Sequence, residues 1–270
     1  MNRKAFFASL RRRESGVFGT SLSQKQVDGL NALLDSCIRN GVSDPWGAAL
    51  IAANVYHETG GYMLPIKETV QRYHKDKNPS DATVIARLDR AWAKGQLTWV
   101  KSPYWRDGWF GRGPVQVTHK RNYIKMGSRL GIDLVKRPEK LLEPATGADS
   151  AVIGMVEGLY TGKKISDYVL PRDLSNKPDT HPRRIINGRD GTDADIAKYT
   201  RAFHAALMAA GYSKVSGESL TADKPPQKTA QQKKAPAGVA ATAGAGVVAA
   251  GVTLWAKWAE FTSWLGGLFQ

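Results

Sequence analysis

Cysteine is almost absent from this chain of 270 residues, and its single cysteine, Cys37, excludes an internal disulfide bond. Stability must therefore come from packing, and the composition fits a protein that folds in a reducing compartment. Cys37 follows Val27, Leu30 and Leu34 at helical spacing. This pattern favours a small buried side chain over a reactive nucleophile.

Metal-binding clusters of cysteine and histidine are also missing. The five histidines are scattered. The pair His57-Glu58 lacks the second histidine that a zinc protease needs four residues after the first, because Gly61 stands there. We expect neither a metal ion nor an organic cofactor.

A secretory leader is not indicated, because residues 1–13 are charged and their short apolar run at 5–10 is interrupted by Ser9.

The chain has an excess of positive charge, with a net charge of +15. Such a surplus attracts polyanions, including nucleic acid, anionic lipid and acidic cell-wall polymers. The basic residues accompany no nucleic-acid-binding motif, which disfavours a specific nucleic-acid partner.

Strand signals are scarce and helical patterns dominate, so we predict a mainly α fold (α+β) with a small β-hairpin. Ser23, Asp44 and Ser80 have the character of helix N-caps, and Gly60 ends the second of these helices. Further helices are predicted at 121–130, 149–160 and 193–209. The hairpin is predicted at 104–110 around Asp107-Gly108, leading into a strand at 115–117.

Composition changes after residue 213. Residues 214–236 are rich in Lys, Pro, Gln and Ala and predict a solvated linker. Residues 237–255 carry no charge, and their length suits a membrane span of ~20 residues. We therefore predict a membrane-associated apolar helix within 237–270, with a non-interacting low-complexity tail as the alternative.

Two glutamates could act as a catalytic pair. Glu58 falls in the last turn of a largely apolar helix, where burial and the negative helix end raise the pKa of a carboxyl. Glu68 follows after Gly60, Gly61 and Pro65, which force the chain to turn. Enzymes that hydrolyse glycosidic bonds use two carboxyl groups that face each other across the bond. The alternatives are a solvated Glu58 and a surface ion pair for Glu68.

Polar side chains further along the chain could line the same groove. In the predicted strand, Gln116 and Thr118 project opposite Val115 and Val117. An amide at Gln116 can bind sugar substituents, and a hydroxyl at Thr118 can hold water. Other candidate substrate contacts are His57, Asn122, Tyr123, Arg184 and Asn187. Tyr62, Trp105 and Trp109 could stack on sugar rings or belong to the core.

Several separate segments resemble glycoside hydrolase family 19, which contains chitinases and phage endolysins. These are residues 53–61 (ANVYHETGG), 110–118 (FGRGPVQVT), 122–123 (NY) and 185–188 (IING). The resemblance covers about 3–212, and the segment 156–164 looks closer to bacterial and bacteriophage endolysins. It implies a lysozyme-like fold for a catalytic domain at 1–213.

The resemblance also implies an inverting mechanism. Glu58 would be the acid and Glu68 the base, with Thr118 and Gln116 holding water and substrate, and Asn122 and Asn187 contacting substrate. The loop around Glu68 differs from that of plant chitinases.

The sequence thus predicts a monomeric endolysin that cuts β-1,4 bonds between the amino sugars of peptidoglycan. The nearest alternative is a chitinase, and an alternative of another class is a membrane-permeabilising protein with a wall-binding domain. We expect synthesis in a bacterial host cytoplasm, association with the anionic inner membrane through 237–255, and action on the wall in the periplasm.

Overall fold

The computed structural model describes residues 1–212. Within this range the chain forms seven α-helices and one sheet of two short strands, joined by loops and 3-10 turns. The predicted mainly α class with a small β element is confirmed. The predicted linker and the predicted apolar helix lie outside the described residues. The elements are α1 (Arg3–Leu10), α2 (Gln24–Arg39), α3 (Pro45–Thr59), β1 (Ile66–Lys67), α4 (Asp81–Ala93), β2 (Arg112–Gly113), α5 (Lys120–Leu130), α6 (Pro144–Glu157) and α7 (Asp193–Ala209).

Three helices begin at the predicted caps. Ser23 and Gln26 form a reciprocal capping box at α2, Asp44 accepts from the Gly47 amide at α3, and the Ser80 hydroxyl accepts from an amide at α4. Each such cap contributes about 1 kcal/mol. The predicted starts are therefore confirmed.

Other boundaries differ from prediction. α6 starts five residues before the predicted 149 and ends at Glu157, because Gly158 adopts a left-handed conformation with φ 72°. α1 was not predicted. Asn2 caps it, and its Phe6 and Leu10 are fully buried.

The main core surrounds α3. This helix is apolar on every side, and residues 47–55 are all buried. It packs most extensively on α7, while α2 packs on α6 and α1 on α7. A helix so enclosed has little freedom to shift, which makes its C-terminal end a rigid place for a functional side chain.

Two smaller apolar clusters lie beside the main core. One joins α4 to Trp105 and Phe110, and the other joins α5 to Val117 and Leu141. The main core and these two clusters meet around the groove described below.

The hairpin predicted around Asp107-Gly108 is wrong. Residues 104–107 form a 3-10 turn that Gly108 ends at φ 81°. Trp105 is fully buried and its indole donates a hydrogen bond to Asp89. The Asp-Gly signal here marks a helical turn with a left-handed glycine, which uses the same backbone preference as a hairpin turn.

The observed sheet pairs β1 with β2 in antiparallel register, Ile66 opposite Gly113. The strand predicted at 115–117 is also wrong, because the chain reverses at 113–116 and only a single bridge joins Arg112 to Val117. Pro114 has no N–H for a ladder, and Gly113 at φ 107° turns the chain.

Across residues 1–212, no helix combines the length and the apolar character needed to cross a bilayer.

Candidate active site

An open groove, called the cleft below, brings together most of the predicted site residues. The space inside it, including open solvent at its mouth, is about 1180 Å³. The predicted residues that line the cleft are Glu58, Glu68, Gln116, Thr118, Asn122 and Asn187.

Glu58 occupies the last turn of α3, immediately before the left-handed Gly60 that ends the helix at φ 59°. Its side chain is only 1% exposed. The Arg183 guanidinium donates a hydrogen bond to Glu58 Oε1 at 2.5 Å. The rigid core around α3 therefore fixes where this carboxyl reaches the cleft.

Arg183 is itself fully buried and is shared among three acceptors. It donates to Asp190 at 2.8 Å and to Asn54 Oδ1 at 2.8 Å, besides Glu58. Asn54 precedes Glu58 by one turn of α3, so both reach the same guanidinium. Asp190 also accepts from the Thr192 hydroxyl at 2.7 Å.

The two acids beside Arg183 differ in their pKa shifts. Burial raises the pKa of Glu58, against the opposing effect of the Arg183 charge and hydrogen bond. Burial would also raise the pKa of Asp190, but the Arg183 charge and the hydrogen bonds from Thr192 outweigh it and lower that pKa. The Asp190 charge also acts on Glu58 and adds to the rise of its pKa.

The second carboxyl oxygen of Glu58, Oε2, differs from the first in its hydrogen bonding. Oε2 is buried and has no hydrogen-bond partner among residues 1–212. A buried carboxyl oxygen is ordinarily paired, since leaving it unpaired costs about 1–3 kcal/mol. Glu58 lines the cleft, so a protonated Oε2 would be a hydrogen-bond donor without a protein partner at the cleft wall.

Glu68 follows β1 and is held to the residue before β2. Its backbone N–H donates to Gly111 O at 2.7 Å, and the Gly111 N–H donates to Glu68 Oε2 at 2.7 Å. The Tyr104 hydroxyl donates to Glu68 Oε1 at 2.6 Å. Burial raises the pKa of Glu68, while the hydrogen bonds from Tyr104 and Gly111 oppose the rise.

Both oxygens of Glu68 thus accept one fixed hydrogen bond, which defines the orientation of its carboxyl. A carboxylate has about four acceptor positions, so lone pairs remain for a water molecule. Thr118 lines the same cleft. Its carbonyl accepts from the Asn122 amide at 2.7 Å, which fixes the start of α5.

Gln116 is placed by the tight turn rather than by a strand. Its Nε2 donates to Ile66 O at 3.0 Å and to Gly113 O at 2.8 Å. Its Oε1 is buried without a partner among the described residues, so the amide presents an unused acceptor. Gly111 leaves the room for it, since a Cβ there would lie 2.4 Å from Oε1.

Three predicted substrate contacts do not line the cleft. Tyr123 is fully buried, and its hydroxyl donates to Phe110 O. Arg184 is buried and paired with Asp193. His57 is half-buried, and burial followed by the nearby Arg183 charge lowers its pKa to about 4.

The aromatic candidates also lie elsewhere. Trp105 belongs to the core, Trp109 packs edge-on against Tyr123, and Tyr62 lies near the ammonium groups of Lys25 and Lys77. We therefore assign none of these rings to a sugar.

The cleft also contains side chains that the sequence did not single out. Trp99, Tyr104 and His119 line it, and Arg183 lies directly behind Glu58. His119 adopts a positive φ of 66°, unusual for a residue other than glycine, and its ring lies 4.5 Å from that of Tyr104. The aromatic run at 104–110 was a signal for Tyr104, but no local pattern distinguishes Arg183 from Arg184.

Comparisons with known proteins agree with the resemblance seen in the motifs. The chain is 30% identical over 95 residues to acidic endochitinase Q of Nicotiana tabacum, covering 35% of this chain and 31% of that protein. It is 55% identical over 31 residues to chitinase 11 of Oryza sativa subsp. japonica, or 12% of each chain. The matches thus span about a third and about an eighth of these relatives.

Among solved structures, chitinase C of Streptomyces griseus HUT6037 aligns with a TM-score of 0.45 and 20% identity, over 79% of this chain and 77% of that one. No protein-family model matches the chain. The similarity to chitinases that the motifs indicate is thus confirmed at the level of sequence, whereas the endolysin branch stays a prediction.

Proposed function

We propose that the protein is a glycoside hydrolase that cuts β-1,4 bonds between the amino sugars of peptidoglycan, with inversion at the anomeric carbon. One observation carries this proposal. The buried Glu58 has one oxygen held by Arg183 and the other unpaired, and it shares a cleft with a second carboxyl, Glu68. Glycoside hydrolysis by acid and base catalysis uses two carboxyls in one cleft, so this arrangement supports the proposal.

In the proposed reaction Glu58 acts as the acid and Glu68 as the base. Glu58 Oε2 donates its proton to the glycosidic oxygen as the bond from that oxygen to the anomeric carbon breaks. Glu68 accepts a proton from a water molecule that Thr118 helps to hold, and this water forms the new bond on the opposite face of the ring.

Charge is conserved through this step. The bonding electron pair leaves with the protonated oxygen, the water adds hydroxyl, and one proton passes from Glu58 to Glu68 by way of substrate and water. The newly ionised Glu58 lies against the Arg183 guanidinium, which stabilises it. Exchange of protons with solvent restores both carboxyls.

Substrate binding is supported by the polar wall of the cleft. The unused Gln116 acceptor can receive an N–H from an N-acetyl group. Asn122 and Asn187 line the cleft nearby and supply further donors and acceptors to sugar hydroxyls.

Chitin is the second candidate substrate, because the relatives named above are chitinases. Both polymers carry N-acetylated amino sugars, so the same polar wall suits either. The net charge of +15 favours the anionic wall polymer, since chitin is neutral.

Digestion of both purified polymers tests the proposal. Wild-type protein should release fragments with new reducing ends from peptidoglycan, and mass spectrometry of the fragments identifies the bond. Glu58→Gln should abolish release while the thermal unfolding midpoint stays close to wild type. Undiminished release by this variant would remove Glu58 from the mechanism, and cleavage of chitin alone would select the second candidate.

We also propose that the protein acts as an endolysin, and that residues 237–270 associate with the anionic inner membrane of a bacterial host. The support is the uncharged run at 237–255 and the basic residues before it. Full-length protein should sediment with vesicles containing anionic lipid, and a chain ending at Ser213 should not. Equal recovery of both in the supernatant would contradict the association.

The same truncation separates the enzyme from a membrane-permeabilising protein. If membrane damage alone kills cells, Glu58→Gln should keep killing and the truncation should lose it. If hydrolysis kills cells, Glu58→Gln should lose killing and the truncation should keep it, provided that the outer membrane is permeabilised. Size-exclusion chromatography with light scattering tests the proposed monomer.

A further inference from the structure

Two lysines line the cleft, and their charges are balanced differently. Lys67 forms an ion pair with Asp81 at 2.7 Å, and it donates to Pro79 O at 2.7 Å. Lys125 is exposed, and no carboxylate of residues 1–212 lies within ion-pair distance of its Nζ. The cleft therefore contains one ammonium group whose charge has no protein counter-ion in the described part of the chain.

Lys125 is nevertheless held in place. Its Nζ donates to Leu159 O at 3.1 Å, at the C-terminal end of α6 just after Gly158. One of its three donors is used in this way, and two remain for a ligand.

The position of Lys125 on α5 directs it toward bound substrate. Asn122, Lys125 and Met126 are spaced to share one face of the helix, and all three line the cleft. Asn122 is bonded to Thr118 O, so this face begins beside the proposed water site. A substrate that lies along the cleft passes the ammonium of Lys125.

We propose that Lys125 binds a carboxylate of the substrate and so makes the site selective for an amino-sugar polymer that carries acidic groups. The acidic peptide stems of peptidoglycan supply such carboxylates, and neutral chitin has none. The inference rests on the proposed hydrolase function and deepens it. It also has an electrostatic reason, because the ionised Glu68 would otherwise repel an anionic substrate, and Lys125 offsets that repulsion.

The test compares three soluble substrates: peptidoglycan fragments, the same fragments with their carboxylates converted to amides, and chitin oligomers. Lys125→Met keeps the aliphatic stem and removes the charge. We expect its kcat/KM on native fragments to fall about 2- to 5-fold at low salt, which is the range for an exposed ion pair, and to approach wild type at high salt. Its kcat/KM on the amidated fragments and on chitin should equal that of wild type.

Two further variants control the comparison. Lys125→Arg keeps the charge and should retain most of the activity on native fragments. Lys94→Met removes the same charge from an exposed site beyond α4 that does not line the cleft, and it should leave all three substrates unaffected.

The outcomes separate this inference from the proposed function. An equal loss on all three substrates, or no loss on native fragments, would overturn the role of Lys125 while leaving the hydrolase intact. Failure of wild-type protein to cleave any of the three would instead overturn the proposed function.

Discussion

The hydrogen bond from Tyr104 to Glu68 leads to a prediction about the pH dependence of activity. Tyr104→Phe removes only the hydroxyl that donates to Glu68 Oε1 at 2.6 Å. The Gly111 N–H still holds Oε2, and the ring can still lie against His119. The substitution therefore changes the proton affinity of Glu68 more than the shape of the cleft.

The direction of the change follows from which state the bond favours. Tyr104 donates to the ionised form of Glu68 and so lowers its pKa, against the burial that raises it. A base must be ionised, so activity falls as the pH drops through that pKa. Without the hydroxyl, the pKa of Glu68 rises and the acidic limb of the profile moves to higher pH.

A hydrogen bond to a charged group is worth about 1.5–3 kcal/mol, and 1.36 kcal/mol corresponds to one pKa unit. Water in the open cleft will replace part of the lost bond, so we expect a shift of about 1 pH unit. In the proposed mechanism the basic limb reports Glu58, and this limb should not move.

The assay is kcat/KM on a soluble oligosaccharide across the pH range, for wild type and Tyr104→Phe. Tyr73→Phe is the matched control, since Tyr73 lies against Arg87 and does not line the cleft. An unchanged acidic limb, or one that moves to lower pH, would refute the assignment of Glu68 as a base held by Tyr104.

Two other predictions concern the residues that hold the site. Arg183→Met leaves the buried Glu58 without a cation and leaves Asp190 with only Arg184, at 3.9 Å. The free energy of unfolding in urea should therefore fall by about 3–5 kcal/mol, whereas Arg129→Met, which breaks an exposed pair with Glu157, should cost about 0–1 kcal/mol. Equal losses would contradict the buried network. Gly111→Ala places a Cβ 2.4 Å from Gln116 Oε1 and should displace that amide, which should raise KM about 5- to 10-fold. The control is Gly47→Ala, whose added Cβ would lie 3.5 Å from its nearest neighbour and should not change KM. A KM equal to wild type in Gly111→Ala would show that Gln116 does not bind substrate.

The helix starts were predictable because a cap is a local feature. Ser23 and Gln26 are close enough in sequence to bond each other whatever the rest of the chain does. The position of Glu58 was predictable for a similar reason, since an apolar helix followed by Gly60 fixes both its burial and its place at a helix end.

The partners of the catalytic candidates were not predictable, because they come from distant parts of the chain. Arg183 reaches Glu58 across 125 positions, and its neighbour Arg184 has the same chemistry but pairs with Asp193. Which of two adjacent arginines faces the core depends on the 3-10 turn at Pro182–Ile185. Neither arginine lines the cleft, and Arg183 is the one that reaches Glu58.

The wrong strand assignment had a physical cause as well. Alternation of Val115, Gln116 and Val117 suits a strand, but it also suits a tight turn in which both valines are buried and the amide turns toward backbone carbonyls. Gln116 nevertheless lines the cleft, because the turn brings it there by another route.

The most direct test of the acid and base assignment is the dependence of each variant on the leaving group. An amino-sugar oligomer with a nitrophenyl leaving group needs no proton from an acid, whereas a natural sugar leaving group does. Glu58→Gln should therefore retain much of the wild-type rate on the nitrophenyl substrate and lose it on the natural one, and Glu68→Gln should lose both. Equal loss by Glu58→Gln on the two substrates would contradict a role for Glu58 as the proton donor.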